Sequence, residues 1–111
     1  MIAEQFDCCI CTQFLPNEII SQLKTDKKIR TRLICVVTDY NVHRFWLAGA
    51  VDTYAVACRE AKQELLRMGV TQEKIQVTGV PVNPKFLSQP DKQQLINEMG
   101  LKPGMLTVLM L

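Results

Sequence analysis

The run Leu33-Ile34-Cys35-Val36-Val37 holds five apolar residues with no polar interruption, and it restricts the fold more than any other stretch. A strand open to water on one side alternates; one that is apolar throughout must be covered on both faces, as in a parallel sheet with crossover helices. The flanking segments supply the other parts. Residues 7–12 read as a short buried strand, and Pro16 stands where a first helical turn tolerates it. Leu15, Ile19, Ile20 and Leu23 recur at helical spacing and predict a helix over 16–24, ended by the polar stretch 25–31.

Further along, 53–57 reads as a strand, and 59–68 as a helix with the stripe Ala61, Leu65, Met68 and a stop at Gly69. Residues 75–77 form a strand, 79–84 a Pro-rich connection, and 91–99 a helix closed by Gly100. An apolar strand is expected over 106–111 after the turn Lys102-Pro103-Gly104. Strand and helix thus alternate, which predicts an α/β fold: a Rossmann-like parallel sheet with flanking helices and right-handed crossovers. Ligands collect at the carboxyl ends of such strands, and Thr38-Asp39 lies at one.

Composition narrows the function classes. A net charge of +2 with four Phe, two Tyr and one Trp is too mild for a nucleic-acid surface, which shows clustered cations interleaved with stacking aromatics. No apolar run approaches the roughly 20 residues of a membrane span, and the first seven residues carry neither a basic leader nor a signal core, so a cytoplasmic chain is expected. Five cysteines, most within apolar runs, fit free thiols in a reducing compartment. Cys8 and Cys11 form a C-x-x-C, but in a strand-like run rather than at a helix start. A zinc site would need further ligands from Cys35, Cys58 or His43, and no metal is expected.

Between 38 and 52 the periodicity breaks down, and this irregular stretch holds the only His and the only Trp. Function tends to sit in such segments. Trp46, with Phe45 and Leu47, suits a surface that is apolar on one side and wet on the other; it equally suits the core. Lys24, Lys27, Lys28, Arg30 and Arg32 stand against a single Asp26 and could meet an anionic membrane leaflet or simply be solvated. Gly79, Pro81 and Pro84 read as shaping a connection between domains.

Three blocks carry a family resemblance: Cys11-Thr12-Gln13-Phe14-Leu15-Pro16, then Val37-Thr38-Asp39-Tyr40-Asn41-Val42-His43-Arg44-Phe45-Trp46, then Val77-Thr78-Gly79-Val80-Pro81-Val82-Asn83-Pro84. In order and spacing the chain resembles the monogalactosyldiacylglycerol synthase and processive diacylglycerol glucosyltransferase family. The resemblance implies a GT-B glycosyltransferase of two Rossmann-like domains facing across a cleft. Residues 1–84 would be the later part of the acceptor-side domain, and 85–111 the interdomain connection and the first strand of the donor-binding domain. It further implies inverting transfer of a hexose from UDP-galactose or UDP-glucose to diacylglycerol or a related glycolipid. It implies too that no metal or other cofactor takes part, and the enzyme is expected to lie peripherally at the inner face of the cell membrane. The piece alone is expected to be inactive.

Inverting transfer needs a base for the acceptor hydroxyl. On the resemblance, Asp39 and His43 are the catalytic candidates, Asp39 orienting His43 or touching the acceptor glycerol. The alternative is that Asp39 caps a turn and His43 is a packed neutral residue, the base lying outside these residues. Thr12, Gln13, Thr38 and Trp46 are the expected acceptor-binding residues, and Gly79 and Pro81 the cleft residues. Gln13 departs from the histidine usual in similar bacterial sequences. Cys58-Arg59 replaces a hydroxyl-then-acid pair at a helix start, removing the favoured cap. Two other readings stay open: a non-catalytic Rossmann-like binding module or remnant, and a transferase acting on a lipid-linked peptidoglycan precursor.

Overall fold

The computed structural model describes residues 6–102 and 104–110. The chain divides into two compact units, Met1–Val80 and Pro81–Leu111. The first is α/β as expected, with strands β1 (Cys8–Cys11), β2 (Arg32–Val37), β3 (Thr53–Val56) and β4 (Ile75–Val77) and helices α1 (Phe14–Thr25) and α2 (Arg59–Arg67). The strands form one parallel sheet in the order β1-β2-β3-β4. Cys11 pairs with Cys35, Val37 with Val56, and Val56 with Val77, so the carboxyl ends gather on one edge.

Helices cross from β1 to β2 and from β3 to β4, but β2 reaches β3 through the irregular stretch 38–52 with a single 3-10 turn, Arg44–Trp46. The core consists of Cys11 of β1, Leu33, Cys35 and Val37 of β2, Tyr54 and Val56 of β3, Ile75 of β4, Ala61 and Leu65 of α2, and Val42, Trp46 and Val51 from the connection. Ala61 and Leu65 are one turn apart and both fully covered; burial of a Leu side chain contributes about 1.5–3 kcal/mol. Cys58 caps α2 without a side-chain hydrogen bond, as the missing hydroxyl predicts. At its other end Gly69 takes a φ of 92°, and the bonds Gly69 N–H to Leu66 C=O and Val70 N–H to Leu65 C=O close the helix. Helix α1 closes in the same way with Lys27, at a φ of 58°, in place of a glycine.

Helix α1 packs differently from what its sequence implies. Leu15 and Ile19 of the apolar stripe are exposed, while the buried side chains are Asn17 and Ser21. The reason is that this face meets irregular backbone, which needs hydrogen-bond partners more than apolar cover.

In the second unit, a 3-10 turn (Pro84–Leu87) leads to α3 (Lys92–Glu98), capped by the Asp91 carboxylate on the Gln93 and Gln94 amides. None of its described residues is buried. Residues 106–110 form no strand, contrary to expectation; a strand exists only as one side of a ladder, and no other strand lies among the described residues of this unit. Leu111 and Pro103, the remaining parts of that expectation, lie outside the described residues.

Candidate functional site

Thr12 and Gln13 follow β1 directly, and Thr38 and Asp39 follow β2, so the parallel register brings the two pairs to the same edge of the sheet. There they line a recess of about 130 Å³ together with Phe14 and Trp46. All four expected acceptor-binding residues and Asp39 therefore share one cavity. Gly79, at a φ of 80°, follows β4, and its amide and that of Thr78 both bond to Val56 C=O. It does not line the recess. Pro81 begins the second unit.

Asp39 Oδ2 accepts a hydrogen bond from the indole Nε1–H of Trp46 at 2.9 Å, and His43 Nε2 lies 3.1 Å from the same oxygen. Trp46 is 2% exposed and belongs to the core, which answers the open question about its ring: it forms the recess wall from inside. Its neighbour Phe45 is 73% exposed. His43 packs edge-on against Phe14 and Phe45, with ring centroids 5.7 Å away in each case. The Trp46 ring is also 6.0 Å away, so the imidazole sits among one carboxylate and three aromatic rings, while both His43 and Asp39 remain about half exposed.

What holds this stretch still is a set of side chains that the sequence did not single out. The Val42 amide donates to Glu64 Oε2 of α2 at 2.7 Å. Asn17 Nδ2 donates to Trp46 C=O at 3.3 Å, and the Ala50 amide donates to Ser21 Oγ at 2.9 Å. The Tyr54 hydroxyl accepts from Ala48 N–H at 3.1 Å and donates to Ala48 C=O at 3.3 Å; burial pushes the phenol pKa up, which keeps the donating proton in place. Lys74 Nζ donates to Val51 C=O at 2.8 Å. A connection that reads as loose is thus tied to α1, α2, β3 and the segment before β4. The legible signal was weak: polar residues at i and i+4 in α1, with apolar neighbours.

Two other features bear on function. Lys24, the first of the five cations set against Asp26, is paired with Asp52 and only 15% exposed; Lys28 lies 3.2 Å from Asp26. The basic stretch is therefore smaller than its sequence implies. A second recess of about 180 Å³ lies at the amino ends of β3 and β4, lined by Tyr54 and Lys74 among others, but the polar groups of these two side chains already bind Ala48 and Val51. The cysteines are free thiols, with Cys11 and Cys35 buried. No group of three or more potential metal ligands occurs among the described residues, and no described helix is long and apolar enough to cross a membrane.

Comparison with known proteins places these features in a family context. The family model described as monogalactosyldiacylglycerol (MGDG) synthase matches residues 1–82. A processive diacylglycerol beta-glucosyltransferase from Staphylococcus epidermidis is 31% identical over 110 residues, covering 99% of this chain and 28% of that protein. One of the same description from Staphylococcus aureus is 30% identical over the same span. The chain therefore spans 28% of the length of these curated relatives.

Proposed function

This chain belongs to the monogalactosyldiacylglycerol synthase family, and we propose that it is the acceptor-side part of an inverting glycosyltransferase that moves a hexose from a UDP-sugar to diacylglycerol or a related glycolipid. The observation that carries the reading is the shared recess: Thr12, Gln13, Thr38, Asp39 and Trp46 line one cavity, and His43 Nε2 stands 3.1 Å from its carboxylate. At about 130 Å³ the recess is below the roughly 300 Å³ that encloses a drug-sized ligand. It suits the hydroxyl-bearing end of a lipid whose acyl chains stay outside.

In this reading His43 donates its Nε2–H to Asp39, which leaves the lone pair of the neutral ring on Nδ1. That nitrogen takes the proton of the acceptor hydroxyl as its oxygen attacks the anomeric carbon. The bond from that carbon to the diphosphate oxygen breaks, and the nucleotide leaves with the electron pair. Asp39 fixes the tautomer and stabilises the imidazolium that forms. Donor contacts come from residues outside this chain. Peripheral attachment to an anionic membrane is part of the same proposal, supported by exposed Phe45 beside the recess and by exposed Lys27 and Arg32.

The test is transfer by the full-length enzyme from UDP-glucose or UDP-galactose to diacylglycerol in mixed micelles. His43→Ala and Asp39→Asn are expected to lower turnover by about 10²- to 10⁴-fold, the usual effect of losing a general base, while melting temperatures hold. A variant with near-normal turnover removes that residue from the machinery, and absence of transfer by the wild type with either donor overturns the reading.

A further inference from the structure

Asn17 is fully buried in α1. Its Nδ2 donates to the carbonyl of Trp46, 29 positions away, while its Oδ1 is buried without a hydrogen-bond partner. Stability alone is a poor reason for such a residue, because an unpaired buried acceptor offsets what the single bond gains. A leucine, branched in the same way but bulkier, would leave the Trp46 carbonyl unpaired while removing the orphaned oxygen, so the two polar changes oppose each other.

The bond matters for what it does to Trp46. That residue ends the 3-10 turn and is held at three polar points: its amide on His43 C=O at 3.0 Å, its indole on Asp39, and its carbonyl on Asn17. The first two lie within the irregular stretch itself and would move with it. Of these bonds only the third ties Trp46 to a regular element; α1 also carries Phe14, another wall of the recess, whose ring packs edge-on against the indole with centroids 6.1 Å apart. We propose that Asn17 is a positioning residue: by anchoring the Trp46 carbonyl to α1 it sets where the indole N–H presents itself, and hence where Asp39 Oδ2 is held for His43 and the acceptor. The proposal deepens the transferase reading and rests on Asp39 facing substrate there; its physical content is the coupling from Asn17 through Trp46 to Asp39.

The chain has one tryptophan, so a nitrogen-edited proton spectrum of the 111-residue chain contains a single indole resonance. Asn17→Leu is expected to leave the circular-dichroism melt cooperative and to move that resonance toward its position in Asp39→Ala. In the full-length enzyme the same substitution is expected to lower kcat by up to about 10²-fold, the scale of a displacement of about 1 Å in a reacting group, with KM little changed. In a Trp46→Phe background, which lacks the indole N–H, Asn17→Leu should produce no further loss. An unmoved resonance, or an undiminished second loss in that background, overturns the proposal. If Asn17→Leu does not fold, Asn17→Ala is read in the same way, and failure of both to fold makes Asn17 structural and refutes positioning. A wild-type enzyme without transferase activity would refute the transferase reading, and the resonance would still decide whether Asn17 governs Trp46.

Discussion

Lys24 of α1 and Asp52, 28 positions apart, form an ion pair that ties the end of the 38–52 connection to α1. The same Asp52 carboxylate accepts the Leu33 amide at 2.7 Å, and the Asp52 amide returns a bond to Leu33 C=O at 3.0 Å. Lys24 thus belongs to the architecture, which separates it from Lys27. Lys24→Gln is expected to cost about 1–2 kcal/mol, between the limits for exposed and buried pairs. Lys27→Gln should stay within about 0.5 kcal/mol. Urea melts of the two variants check the difference.

Asp52 also gives the chain an acid sensitivity of definite sign. Burial alone would raise its pKa, but the bonds from Leu33 and Lys24, with the charges of Lys24 and Lys74, bring it below the ordinary carboxylate value. A depressed folded-state pKa means that the carboxylate stabilises the fold above its unfolded pKa of about 3.9, and that this contribution fades as pH falls through the lower folded value. Asp52→Asn should be less stable than wild type at pH 7 and close the gap below about pH 4. Because the side chain is 45% exposed, screening should keep the pH-dependent part under about 1 kcal/mol. Melting curves from pH 7 to pH 2 test it; a gap that is constant over this range would assign the effect to packing.

Glu64 holds the Val42 amide, and Val42 is 6% exposed. Glu64→Leu strands that amide and is expected to cost about 1–3 kcal/mol, whereas Glu64→Gln retains an acceptor and should cost less. Equal losses in the two variants would show that the bond contributes little.

Thiol chemistry should follow the burial of the strands. Cys35 is fully covered, and burial, with a smaller contribution from Cys11, pushes its pKa up to about 12. Cys11 is raised for the same principal reason. With a thiol-reactive dye at pH 8, exposed Cys8 should label in the native chain while Cys11 and Cys35 label only on unfolding, since the thiolate is the nucleophile. Native labelling of Cys35 at a rate like that of Cys8 would contradict the packing of β2.

The four strands of the first unit were legible in position, but β1, read as buried, exposes Cys8 and Ile10 because it stands at the end of the strand order with one neighbour only among the described residues. β2 lies within one residue of the apolar run at 33–37, and β4 matches 75–77. Helix α1 was found by its period, yet its facing was not legible, because Asn17 and Ser21 read as a solvated side until the irregular backbone they bind is known. Thr12, Gln13, Thr38, Asp39 and Trp46 were named from a resemblance, and their shared recess follows from the register of β1 with β2. Glu64 and Tyr54 were not legible as supports, because a hydrogen bond between distant positions leaves no periodic trace. The strand expected at 106–111 illustrates the converse: apolar residues favour a strand only when a neighbour completes the ladder.

The dependence of the 38–52 connection on partners in α1, α2, β3 and the segment before β4 determines how portable it is. Transplanted alone between two strands of another parallel sheet, it would arrive with Asp39, His43 and Trp46 but without Asn17, Ser21, Tyr54, Glu64 and Lys74, whose bonds define its path. The smallest transferable piece is therefore the whole run from Thr12 to Lys74. An engineer who wanted this carboxylate-imidazole pair elsewhere would have to move nearly all of the first unit with it.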